Sequence, residues 1–432
     1  MALADIGRRC WYNLTIRGLM LGALTLIVSA HAFAANTCDS APSRPSVESD
    51  AQTAPGPRAL RVVLYPFLPN FAAYKNWVVN QFESLHPDIE LEIVDLSNNY
   101  YGSFTDDYVG CANADVYELD SVFLHDFAMN KKVQPLPASA TIPDEQFLKN
   151  AAAGVAVNGV RYGSPHWVCG NFLFFDASDG ALRGVDTLDK LKAIIGSHIT
   201  PHRGLAVDLK GKSTLGEFYL NAAVDRYAQW SNILPRIAVF DPSLESDLQA
   251  LSDMCEVGCR DSSRHGTAFF AEQFDAHNAR ALIGYSESLN GALKLASDQS
   301  KCPYAARCLD DADIDVEELP LDPKESKTMS WVDSFTVDSK CKDQCINDAS
   351  AFIQFMNEDA TFMSILLGSD GIPAYLLPAK KSLYSRRDLL AKAHLYPSLQ
   401  KIIENSFVPS DLGLNEELRN VGRRVDADLP KQ

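Results

Sequence analysis

Short apolar runs and helix-spaced apolar stripes alternate along this chain. Leu60 to Tyr65 is an apolar run closed by Pro66, which predicts a buried strand. Phe71, Tyr74, Val78, Phe82 and Leu85 follow at helical spacing, and His86-Pro87 ends that helix. Ile89 to Val94 alternates apolar and acidic residues, a second strand. Asp115 to Leu119 predicts a third, with Asp120 placed to cap a helix that begins at Ser121. Further along, Leu205 to Leu209 and Ala281 to Tyr285 read as strands. Leu215 to Tyr227, Ser243 to Met254, Asn347 to Met356 and Arg387 to His394 read as helices.

This order is the α/β signature of a largely parallel sheet. There is no internal repeat. The length of the patterned region fits two α/β lobes better than one, and in such folds ligands bind at the carboxyl ends of strands, between the lobes.

Two segments precede the fold. Arg8, Arg9 and Arg17 flank the apolar stretch Leu19 to Ser29, and Ala32-Phe33-Ala34 offers a small-x-small cleavage pattern. Together they predict a Sec-type signal peptide over 1–34, and so a protein secreted or periplasmic, with no membrane attachment after cleavage. Residues 35–58, rich in Ala, Pro and Ser without periodicity, read as a flexible linker.

Composition narrows the partners. The chain of 432 residues has a net charge of −17, which argues against nucleic acid and anionic membrane and favours a neutral or cationic small molecule. Export changes the reading of the ten cysteines, since an oxidising compartment favours pairing. Cys10 leaves with the signal. Spacing suggests Cys255 with Cys259, Cys302 with Cys308 and Cys341 with Cys345, and Cys38 with Cys111 as a fourth pair. Cys169 is left over, either an inert buried cysteine or a functional thiol. No pair has the two-residue spacing of structural zinc, so no metal is expected.

Gly211-Lys212-Ser213 resembles the end of a phosphate loop but lacks the earlier glycine. Gly284-Tyr285-Ser286-Glu287-Ser288 resembles a nucleophile elbow but ends in Ser. Cys169 lies in the apolar, aromatic stretch Ser164 to Phe175. In an extended segment His166 and Cys169 face opposite ways, so the base for a nucleophilic thiol must come from elsewhere. Glu287, at the end of an apolar strand, is the candidate, with helix capping as the alternative role. Tyr65, Tyr74, Tyr100, Tyr101, Asp120 and Asp333 sit near the ends of strands or apolar runs. Core packing is the bland reading of such aromatics; with the carboxylates they would form a box for a flat cationic amine.

Several segments taken in order resemble the bacterial thiaminase I (thiamine pyridinylase) family. They are Tyr65-Pro66 with Pro69, Asp115 to Leu124, the stretch around Cys169, Ile283 to Ser288, and Ala374 to Ala379. The resemblance implies a two-lobe group-II periplasmic binding protein-like α/β fold with a deep interlobe cleft. The catalytic domain would span 59–432, with one lobe at roughly 59–165 and 325–366 and the other at 166–324 and 367–432. It implies Cys169 as nucleophile, Glu287 as its general base and acid, and Asp120, Asp333 and Tyr285 at the pyrimidine site; Tyr65 and Tyr101 are expected to bind substrate with them. The implied activity is a transferase that replaces the thiazole of thiamine with an external amine or thiol, as a monomer and without a cofactor. The three close cysteine pairs look like additions to the family core and leave the second substrate open. A solute-binding protein of an ABC importer would share the fold and need no thiol; the settings of Cys169 and Glu287 argue against it.

Overall fold

The computed structural model describes residues 56–429, apart from 97–99, 103–107, 197–203, 228, 256–257, 261–266, 303–306 and 323–326. The expected signal segment and most of the expected linker lie outside the described residues, as does Cys38.

The strands, in chain order, are β1 (Arg58–Val63), β2 (Ile89–Val94), β3 (Val116–Asp120), β4 (Val133–Gln134), β5 (Ala156–Val157), β6 (Val160–Arg161), β7 (Gly163–Cys169), β8 (Asn171–Asp176), β9 (Leu205–Val207), β10 (Ala281–Tyr285), β11 (Ile314–Glu318), β12 (Trp331–Asp338) and β13 (Leu377–Pro378). Among the described residues they form a seven-stranded sheet in the order β13-β7-β12-β3-β1-β2, with β4 on β12, and a four-stranded sheet β11-β8-β10-β9. The pair β5-β6 stands apart. Each large sheet is the centre of one lobe.

The expected largely parallel sheet is corrected to a mixed one. Among the described strands, β2-β1-β3 and β9-β10 pair in parallel, whereas β12 lies antiparallel between β3 and β7, and β8 lies antiparallel between β10 and β11. The chain leaves the first sheet at β7, builds the second, and returns as β12. Pairings over such separations leave no trace in local periodicity.

Local predictions fare better, because they rest on local causes. The helix Phe71–Leu85 buries Tyr74, Val78 and Phe82, one side of the expected stripe, while Leu85 is exposed. The Asp120 side chain accepts from the Val122 amide at 2.8 Å and so caps the helix Ser121–Met129. The helix expected over Arg387 to His394 stops at Leu390. The long helices Lys212–Tyr227 and Leu414–Asp428 pack closely in the second lobe: a Cβ on Gly216 would collide with the Leu418 carbonyl. Strands β3, β7 and β12 are buried along their whole length. Each large apolar side chain there contributes about 1.5–3 kcal/mol over exposure.

The three close disulfides form as spacing suggested, Cys255–Cys259, Cys302–Cys308 and Cys341–Cys345. Cys111 is also disulfide-bonded, and Cys169 is the free cysteine among the described residues. No helix among the described residues is long and apolar enough to cross a membrane.

Candidate active site

The chain changes sheet at Gly170. Cys169 is the last residue of β7 in the first sheet, and Asn171 is the first of β8 in the second. A Cβ on Gly170 would lie 3.0 Å from the Met329 carbonyl oxygen, so the crossing is tightly packed. Beside it opens a cavity of about 510 Å³. Tyr65, Phe67, Tyr101, Asp120 and Trp331 line it from the first lobe. Glu217, Tyr285 and Glu287 line it from the second, and Cys169 sits at the seam.

Asp120 anchors the first-lobe wall. Its carboxylate accepts from the Tyr101 hydroxyl at 2.5 Å, and Tyr101 meets the Tyr65 hydroxyl at 3.1 Å. The Tyr101 ring stacks between Phe67 and Phe123, both with centroids at 5.7 Å. With its faces so covered, Tyr101 offers the cavity its edge and hydroxyl rather than a stacking platform. Burial raises Asp120 to about 6, against the pull of these donors. Tyr74 and Tyr100 belong to the core.

Asp333 does not line the cavity. It lies behind the thiol, and the Cys169 Sγ donates to its Oδ2 at 3.4 Å. Burial, then the Asp120 and Glu118 charges, hold Asp333 well above the usual carboxylate range, and its Oδ1 has no partner. The Cys169 thiol is pushed up too, by burial first and then by the charges of Asp333, Glu287 and Asp120. It rests as a thiol and needs a base.

His166 supplies none. Its Nδ1 meets Glu118 Oε1 at 2.6 Å in the first-lobe core, while Glu118 Oε2 accepts from the Tyr65 amide at 2.8 Å. Glu287 is better placed. It follows β10 in the turn Ser286–Ser288 and faces the cavity, half-buried. Burial raises it to about 7, the working range of a neutral-pH base. Ser286, the serine of the elbow-like motif, is buried and donates to the Tyr375 carbonyl at 2.7 Å, which leaves it no nucleophilic role.

Glu217 escaped the sequence reading. It sits within a helix that was expected, and its signal was there: Glu217, Asn221 and Asp225 recur every four residues, a buried polar stripe on a largely apolar helix. Trp331 was missed as well, although it opens the run that holds Asp333. No group of three or more metal-ligating side chains gathers among the described residues.

The arrangement holds a protonated thiol, a carboxylate raised to about 7 in the same cavity, and an acidic, aromatic-walled pocket. These are the parts for nucleophilic attack on a cationic ring compound. The fold superposes on that of the maltose-bound MalE3 of T. maritima, with a TM-score of 0.62 at 16% identity over 86% of this chain and 94% of that one. The class is therefore a two-lobe α/β protein of periplasmic-binding-protein-like fold.

The particular relationship lies closer. Residues 170–300 match the Thiaminase-1 domain, a stretch that holds Glu217, Tyr285 and Glu287 and begins one residue after Cys169. The chain is 28% identical over 355 residues to Thiaminase-1 of Paenibacillus thiaminolyticus, which spans 80% of this chain and 81% of that protein. Its fold matches Clostridium botulinum thiaminase I in complex with thiamin, with a TM-score of 0.71 at 21% identity over 85% of this chain and 99% of that one. The expected resemblance is borne out: over residues 170–300, in a curated relative and in fold, the chain is similar to thiaminase I.

Proposed function

We propose that the protein degrades thiamine by replacing its thiazole with an external amine or thiol. The observation that carries this is the seat of Cys169, a free thiol at the crossing between the sheets, in one cavity with a Glu287 raised to about 7. Glu287 takes the Cys169 proton, and the thiolate adds to the pyrimidine ring. The addition breaks aromaticity and the thiazole departs with the bonding pair. The incoming nucleophile adds at the methylene, Cys169 leaves as the ring re-aromatises, and the proton returns through Glu287.

Tyr65, Tyr101, Tyr285 and Asp120 hold the aminopyrimidine, and Asp333 acts from behind the Cys169 thiol. The buried carboxylates favour its protonated or amino form and attract the thiazolium charge. A cation bound beside them offsets the charges that hold the thiol up, so substrate binding itself makes the thiolate easier to form. The reading includes export by the N-terminal segment, a monomer, and the two-lobe division of 59–432, supported by the change of sheet at Gly170.

The test is thiamine loss with and without an added amine such as pyridine or aniline, with intact mass of the protein followed during turnover. The expected result is amine-dependent loss and a pyrimidine adduct on Cys169. Stoichiometric binding with thiamine released unchanged overturns the reading in favour of a receptor.

A further inference from the structure

Glu217 gathers three side chains from both sheets. Its Oε1 accepts from Trp331 Nε1 at 2.9 Å and from Asn171 Nδ2 at 3.0 Å, and its Oε2 accepts from the Tyr285 hydroxyl. Each donor adjoins a reacting group. Trp331 is the strand partner of Cys169. Asn171 lies two residues past Cys169 and is the strand partner of Tyr285. Tyr285 lies two residues before Glu287.

The seam needs such a fastening. Cys169 and Asn171 belong to different sheets with Gly170 between them, and the thiol's hydrogen bond goes to Asp333 rather than to Glu287. The separation of thiol and base therefore depends on how the two sheets are held together at this point. Glu217 is nearly buried, and a buried carboxylate with three donors from three strands is a stiff junction.

We propose that Glu217 is a positioning residue: it fixes the Cys169 turn of the first sheet against the Tyr285–Glu287 end of the second, and so sets the approach of base to thiol. The proposal rests on the thiol-and-base reading of the cavity. A misplacement of about 1 Å typically costs about 100-fold in rate.

Three variants decide it. Glu217→Ala should lower kcat about 100-fold while KM for thiamine stays within about threefold. Glu217→Gln keeps an oxygen for Trp331 and Asn171 and should recover about tenfold or more of that loss. Asn171→Ala removes one donor and serves if Glu217→Ala does not fold. The rate at which iodoacetamide alkylates Cys169 is followed in each, because that reaction needs no thiamine; it should change severalfold in the Ala variants and little in Glu217→Gln. Unchanged kcat and alkylation in the Ala variants overturn the proposal. So does a loss confined to KM, which would make Glu217 a substrate contact. A Gln variant that folds but is as slow as Glu217→Ala overturns it as well, since the charge would then act in the chemistry. If the wild type leaves thiamine intact, the proposed function falls, and the alkylation rates alone still judge Glu217.

Discussion

Asp120 and Asp333 stand directly opposite one another on the antiparallel strands β3 and β12. Like charges in that register repel, and burial strips away the water that would screen them. Both carboxyls are accordingly harder to ionise. Asp120 is raised to about 6, and Asp333 is held well above the usual carboxylate range, by burial first and then by Asp120.

Asp333→Asn removes one of the charges that hold the thiol up. The pH at which Cys169 alkylation reaches half its maximal rate should move down. A profile that stays in place, or moves up, would show that Asp333 does not govern the thiol.

Glu287→Gln removes the base but keeps its shape. Turnover should fall about a hundredfold to ten-thousandfold. In the wild type, kcat/KM should rise with pH through about 7, as the carboxylate forms, and that limb should flatten in the variant. The variant should also melt higher than the wild type at pH 8, with the gap closing towards pH 5, because a buried Gln never has to ionise. A variant that melts lower and turns over normally would return Glu287 to a capping role.

Stability of the whole protein should fall as pH rises from 5 to 8. Asp120 is raised to about 6, Glu217 and Glu287 to about 7 and the buried Asp275 to about 8. Each binds its proton more tightly folded than unfolded. Their contribution is present in acid and is lost as pH climbs through those values. Melting temperature measured across this range should decline. A maximum at pH 8 would contradict the burial of these groups.

The chain freed of residues 1–34, unfolded without reductant, should release one thiol, and peptide mapping should place it at Cys169. Cys169→Ser should still bind thiamine in the intact pocket while losing turnover by roughly three orders of magnitude or more. Finding Cys169 in a disulfide would remove the nucleophile.

Much of this was legible in the chain itself. The strands around Val62, Ile93 and Ile283, the stripe of Tyr74, Val78 and Phe82 and the Asp120 cap are set by residues a few positions apart, so local pattern reveals them. The three short disulfides close loops of a few residues, and counting leaves Cys169 over. The order of motifs along the chain pointed to thiaminase I. What the sequence could not decide is which strands lie side by side. The return of β12 between β3 and β7 places Asp333 opposite Asp120 and under the Cys169 thiol, across more than 160 residues of chain. The same return brings Trp331 to Glu217. Burial, and with it the raised proton affinity of Asp120, Glu217 and Glu287, is a property of that assembled neighbourhood, because desolvation depends on everything packed around a group and on nothing in its own segment.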